Sequence, residues 1–503
     1  MAAERLAAAR DAAARPLVEL TGEAPRVYDL VALADGAAVS LSPGTLATLT
    51  ASRAVVDHAI AAGAPVYGLN RRLGAGRDAA IDPSEFAAFQ RRTIANHRGG
   101  IGEALPEREV RAVIAARLIG FTRGGSGVRP ELAQAYAALL DAGVHPVIPS
   151  RGSVGAADLT HLAEVAAVVT GDGRAIGASG AVVSGSDALA AAGLEPIALA
   201  PLEGLAVLSS NAYSIGVGSL AVTEAQRLAV AADRAVALSL EAIGAAGPAA
   251  NLTAYSAVVA DARGGAGQQA SSAAIRTALD GSDLERPGRE VTVQDPLAFR
   301  TAPQLHGALR EAIAHTTAEL ETELAARTDN PLVDVASGRM ISGGNFQALP
   351  LALAFENLRL VLAHVASAAE RRAAAHSVAL APARAAGSTR VPGLLLYSAA
   401  AAVAELRQLA APATLGITTL SAVEDHASLA PVALQLLQRS LALTGEVLAI
   451  EALHAADLLR TSGAGPAGAG TSPLFAELDA LTASGIPADE LVPAAQRALS
   501  NDR

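Results

Sequence analysis

No cysteine occurs in the 503-residue chain. That absence excludes a disulfide framework, a thiolate metal site and a cysteine nucleophile, and it identifies no compartment. Basic charge is also short: 38 Lys and Arg face 49 Asp and Glu, for a formal net charge of -11. A nucleic-acid footprint needs clustered basic surface, so no nucleic-acid partner is implied. The first residues, MAAERLAAARDAAARPLVEL, set Glu4, Arg5, Arg10 and Asp11 among alanines. They lack the uninterrupted apolar core of a secretory signal, and a cytoplasmic location is expected. No repeat of fixed period is found. No metal is implied either: Glu424, Asp425 and His426 are adjacent, and three consecutive helical residues cannot face one ion.

What is present is apolar and helical. Hydrophobic residues make up 51% of the chain, enough to bury a large core and to build more than one lobe. The stretch PELAQAYAALLDAG (130–143) has Pro in its first turn, apolar residues at helical spacing and Gly where a C-cap belongs. Alanine-rich periodic runs follow at 222–246, 303–327, 352–375 and 398–409, and alanine favours helix over sheet. The uncharged run between Glu203 and Glu224 is long enough on paper to cross a membrane. Its Ser209, Ser210, Asn211 and Ser214 would be costly in lipid, so it is read as a buried bundle helix and no membrane partner is expected. The fold class is therefore all-α: a long central helix bundle with a mixed, mainly helical N-terminal lobe carrying the site loops. The organisation expected is a lobe over 1–200, the bundle over 201–460 and a C-terminal connector and helix over 461–503. Glycine density rises over 171–194, and SGAGPAGAGTSP (462–473) reads as a flexible connector.

Several short motifs remain. VYGLNRRLGAG (66–76), NHRGGIGEALPE (96–107), GGSGVRPE (124–131) and GSVGAADL (152–159) stand in the first half. QDPLAFRTAPQLHG (294–307), TDNPLV (328–333), ISGGNFQALP (341–350) and EDHAS (424–428) stand in the second. In this order and spacing they resemble the aromatic amino acid lyase family, above all its histidine ammonia-lyase branch. The resemblance runs from about residue 20 to 460. It implies an all-α homotetramer with shared active sites, acting on a small amino-acid-derived substrate and eliminating ammonia to leave an arylacrylate. The electrophile of that family is a methylidene-imidazolone ring, MIO, made from an internal Ala-Ser-Gly.

Here the chain departs from the pattern. The family loop reads GSVGASGDL and this one GSVGAADL, so Ala156, Ala157 and Asp158 occupy the place of the ring precursor. Ala157 has no hydroxyl to lose, and the β-branched Val154 crowds the nitrogen that Ser153 would need in its stead. MIO is not expected to form, and no other cofactor is implied. Two further positions that resemble ring neighbours are changed: Ser209 replaces an Asn, with Asn211 two residues late, and Leu297 replaces a Tyr.

Other positions are kept. By resemblance Tyr67 is the lid-loop base and Arg300 the carboxylate anchor, for which a planar guanidinium fork is suited. Gln294, Asn330 and Phe346 match pocket positions, and His97 and Glu424 match contacts to a polar ring. Arg71 and Arg72 replace small residues; they are expected to bind substrate and to lower the Tyr67 pKa. His161, where the family has Pro, reads chiefly as structural. Without MIO the substrate must bring its own leaving group, as a quaternary ammonium does when it departs as neutral trimethylamine. The family branch that works this way is ergothionase. Arg71, Arg72 and Arg98 also suggest a more anionic amino-acid derivative as an alternative substrate. A non-catalytic scaffold is a reading of another class: a preformed pocket that brings Tyr67 near Arg300 is expected of an enzyme, and a collapsed or filled one of a scaffold.

Overall fold

Pro130 opens the helix Pro130–Ala142, and Gly143 closes it at φ 66° with its N–H on Leu139 O. Both signals act locally: proline at the first turn has no N–H to lose, and glycine enters the left-handed region without a Cβ clash. The structure, a computed structural model, describes residues 15–177, 180–416 and 423–500. The charged residues Glu4, Arg5, Arg10 and Asp11 lie outside the described residues.

The long alanine-rich runs are helices, Ala212–Ala246, Ala302–Ala325, Leu349–Ala379 and Leu395–Leu409, all but the second longer than the run read from sequence, and Ala430–Ser462 adds a further long helix. Strands among the described residues are short. Leu17–Leu20 pairs with Ala38–Leu41 in parallel, Ile101–Ala104 with Pro149–Arg151 antiparallel, and Leu332–Asp334 with Arg339–Ile341 antiparallel. A further small sheet joins His145–Pro146, Arg174–Ile176 and Val182–Ser184, in the glycine-rich stretch where helical period is lost. The architecture is all-α, with a mixed, mainly helical part that carries the strands.

By internal contacts the chain divides into two units. The first takes the described parts of Met1–Leu220, Thr317–Leu353 and Ala413–Leu434; the second takes those of Ala221–Thr316, Ala354–Pro412 and Gln435–Arg503. The first has a cluster of Val55, Val56, Val66, Leu69, Leu202 and Val333. The second has its own, around Val236, Leu240, Tyr255, Ile275, Leu279 and Phe299.

Two sequence readings are corrected. The uncharged run after Glu203 is buried as expected but is not one helix: Glu203–Ala206 ends, and Ala212–Ala246 begins after residues 207–211. Ser209, Ser210 and Asn211 fall in that break, where their side chains and backbone turn to other segments. A different helix, Leu349–Ala379, is apolar and long enough to cross a membrane, yet over half of its most apolar window is buried inside the protein, as in a core helix. The 462–473 connector is held in place rather than loose. Glu241 accepts the N–H groups of Ala467 and Gly468, each at 3.1 Å, and the hydroxyls of Ser282 and Thr471. A glycine-rich composition does not reveal a carboxylate that far away in sequence.

Candidate active site

Tyr67 is placed by its chain neighbours. Val66 and Leu69 are buried in the first unit's cluster, which pins the backbone on both sides and leaves the phenol half-buried. Gly68 between them has φ 70°, and a Cβ there would stand 2.2 Å from Leu205 Cδ2, so only glycine fits. The loop closes on itself, with Arg71 N on Val66 O at 3.1 Å and Val66 N on Asn70 Oδ1 at 2.8 Å. The Tyr67 hydroxyl accepts the Gly74 N–H at 3.0 Å.

Burial is the largest influence on that phenol and pushes its pKa above the ordinary value. The Gly74 N–H works against this, Glu424 adds to it, and Arg77 opposes it. The expectation that Arg71 and Arg72 lower the pKa is overturned: the net direction is upward, and the guanidinium that counters it is Arg77. Arg72 turns away to Glu85 at 3.5 Å, and Arg98 pairs with Glu164 at 3.0 Å.

Loop 152–158 is fixed from several sides. Leu429 N donates to Val154 O at 2.8 Å and Ser428 Oγ to Gly155 O at 2.9 Å. A Cβ on Gly155, whose φ is 82°, would stand 2.2 Å from Ser428 Oγ. Ala156 bridges Gln347 through the backbone. Ala157 has φ 59°, a left-handed conformation that is costly for a residue with a Cβ. Asp158 N then donates to Ser210 O at 2.7 Å, and its carboxylate accepts the Ser214 N–H at 2.8 Å. Asp158 thus starts the Leu159–Val169 helix while its side chain satisfies the N-terminus of the Ala212–Ala246 helix. Desolvation pushes this carboxyl up to about 7. Ser153 accepts Thr160 N at 3.3 Å and meets His161 Nδ1 at 3.0 Å. His161 stacks on Tyr213 with ring centroids 4.0 Å apart, and burial holds its pKa down at about 4.

One cavity of about 780 Å³ gathers these segments. It is lined by Tyr67, Arg71, His97, Ala156, Ala157, Ser209, Asn330, Phe346 and Glu424 among the residues singled out from sequence. His97 sits at the end of the Phe86–His97 helix, its Nδ1 2.7 Å from Thr93 O. Arg72, Asp158 and His161 are not part of the lining. Gln294 and Arg300 belong to the second unit. Gln294 is exposed there, and Arg300 ends the short helix Leu297–Arg300 with its Nε buried and without a hydrogen-bond partner.

Arg77 and Asp78 also line the cavity, and sequence reasoning passed them over. Their signal was a charged pair directly after the glycine-rich turn Gly74–Gly76. With Arg71 and Arg77 set against Asp78 and Glu424, the lining carries no excess of charge. Among the described residues no cluster of three or more His, Asp or Glu groups suited to a metal is found.

Known proteins share this organisation. Residues 26–480 match the family model for aromatic amino acid lyases. A histidine ammonia-lyase of Paracidovorax citrulli is 37% identical over 440 residues, covering 84% of this chain and 83% of its own. Among solved structures, the ergothioneine-degrading ergothionase of Treponema denticola superposes with a TM-score of 0.88 at 26% identity, covering 96% of this chain and 98% of its own. A tyrosine aminomutase of Streptomyces globisporus gives 0.85 at 27% identity, covering 96% and 97%. Three reactions are named among these relatives, so the fold does not by itself select one. With a family model spanning most of its length and a relative above 30% identity over most of both chains, the protein belongs to the aromatic amino acid lyase family.

Proposed function

We propose that this carbon–nitrogen lyase works without MIO, eliminating an amine that leaves unaided, with trimethylamine the leading case, from a histidine-like or aromatic amino-acid derivative to give an arylacrylate. The observation that carries this reading is the loop at the cavity wall. A ring precursor needs a serine to dehydrate and an unhindered amide nitrogen to cyclise. Ala157 offers a methyl group, and the next nitrogen, that of Asp158, is committed to Ser210 O at 2.7 Å. Ser153 is buried against Thr160 and His161 and is not part of the cavity lining. The residues present do not fit the group, and no step is routed through it.

The chain's own groups suit an elimination with a cationic leaving group. Burial disfavours the phenolate of Tyr67 and holds it as the phenol. A quaternary ammonium entering beside it favours the anion, so the phenolic proton passes to solvent, and the Gly74 N–H is already aimed at the oxygen. Tyr67 then takes the Cβ proton, and the C–H electron pair becomes the new double bond. The Cα–N pair leaves with nitrogen as a neutral amine. Arg71 faces the cavity and is suited to the substrate carboxylate. Arg300 and Gln294 remain proposed substrate contacts, supplied through the homotetramer that the family resemblance implies.

A more anionic substrate loses its support, because Arg72 and Arg98 are paired with Glu85 and Glu164. A preformed cavity also supports an enzyme rather than a bare scaffold, although Arg300, expected beside Tyr67, is not part of its lining. The test is incubation with ergothioneine, hercynine and histidine in turn, following acrylate absorbance together with released trimethylamine or ammonia. Trimethylamine from a betaine with no turnover of histidine is expected. Ammonia from histidine would overturn the reading, and no product from any of the three would exclude histidine-derived betaines as substrates.

A further inference from the structure

The break between the helices Glu203–Ala206 and Ala212–Ala246 holds three consecutive polar residues, and each addresses a different segment. Ser209 Oγ accepts the Asn330 N–H at 3.0 Å. Ser210 O takes Asp158 N at 2.7 Å. Asn211 Nδ2 donates to Phe346 O at 2.9 Å. Asn330 passes the contact on, its Oδ1 accepting Gly343 N at 3.1 Å and Ser342 Oγ at 3.3 Å. Segment 342–347, which puts Ser342, Gly343 and Phe346 into the cavity wall, is therefore tied at its start through Ser209 and Asn330 and at its end by Asn211.

We propose that Asn211, with Ser209, is a positioning residue that sets the cavity wall at 342–347, and so the width of the space open to the substrate's ring. Asn211 is only 1% exposed and is not part of the cavity lining, so its effect on a substrate runs through Phe346. Beside it stands Glu323, whose ionised carboxylate the Asn211 side chain favours against desolvation. The Oδ1 of Asn211 and the Oε2 of Glu323 are both buried without a partner. Unsatisfied buried polar atoms are tolerated where the geometry they enforce matters more than the local stability they forgo. An asparagine two positions away from the family's place is thus employed on the wall.

The inference rests on the cavity being the substrate site, and its test separates the two. Amide hydrogen exchange is followed in the full-length protein, in Asn211→Ala and in Ser209→Ala. Exchange at Gly343 and Gln347 is expected to rise about tenfold in each variant, while the Leu159–Val169 helix stays within about twofold, because one tie is lost and not the fold. Unchanged exchange at both amides would overturn the proposal, whatever the substrate proves to be. Should Asn211→Ala fail to fold, Ser209→Ala and Asn330→Ala report on the opposite end of the segment and decide the matter. With a turned-over betaine in hand, Asn211→Ala should raise KM about tenfold with kcat within about threefold. A fall in kcat at constant KM contradicts a role on the wall. If no betaine is turned over, the exchange result still stands or falls by itself.

Discussion

Buried carboxyls are paired with cations in both units, as Asp329 is with Arg117 at 2.7 Å and Glu203 with Arg129 at 2.8 Å in the first, but two carboxyls of the first unit are not. In the second, Glu451 receives Arg372 Nε at 2.6 Å, Arg372 Nη2 at 2.8 Å and the Ser239 hydroxyl at 2.7 Å. Asp233 likewise meets His306 at 2.8 Å and Arg310 at 2.6 Å. In the first unit Asp158 is buried and Glu323 half-buried, no cation acts on either, and desolvation pushes each up to about 7. Fully paired groups specify packing, whereas uncompensated groups hold a site in a state the core alone would not choose. The contrast separates carboxyls that are neutralised where they are buried from two that stand beside segments of the cavity wall.

The sharpest test of that division is Tyr67→Phe. It should lower kcat by about a thousandfold, the scale of a lost general base, and leave the thermal midpoint unmoved. Arg372→Met should do the reverse. Leaving Glu451 buried and unpaired costs about 3–5 kcal/mol in denaturant unfolding, and adding Glu451→Leu should recover most of it. Equal stability losses from Tyr67→Phe and Arg372→Met would break the comparison.

The uncompensated carboxyls predict a pH dependence whose sign is fixed. Their folded pKa values lie near 7 and an unfolded carboxyl titrates near about 4, so the folded state binds more protons in between. Stability should therefore be greatest at the acid end of that window and fall as pH rises through about 7. Asp158→Asn should flatten part of the slope in melts taken from pH 5 to pH 8, values that bracket the about-7 titration.

Smaller effects complete the series. Ala157→Gly removes a left-handed strain of about 1 kcal/mol and should raise the unfolding free energy by that order. Arg72→Ala breaks only a half-exposed pair with Glu85, and should change turnover less than about threefold and stability by under about 1 kcal/mol.

Local signals were readable wherever their causes are local. The Pro130 start and Gly143 stop, the alanine-rich helices and the absence of a dehydratable serine at 156–158 all lie within a few residues of their effects. The pairing of Arg98 with Glu164 and the clamping of the 462–473 connector by Glu241 depend on partners far along the chain, and no periodicity reports them. Arg72 looked like a cavity residue because it follows Arg71, but the turn of the lid sends the two side chains in different directions. At 207–211 the hydrophobic pattern continues through a helix break, because Ser209 and Asn211 are buried as thoroughly as the leucines around them.

The bond from Asp158 N to Ser210 O limits how far the loop can be lengthened. Restoring Ala-Ser-Gly by insertion would lengthen a segment fixed at Gly155 by Ser428 and at Asp158 by both Ser210 and Ser214. The new residue would have to be accommodated between two anchors only three positions apart, against ties made to distant parts of the chain. A loop held this way accepts a change of side chain far more readily than a change of length.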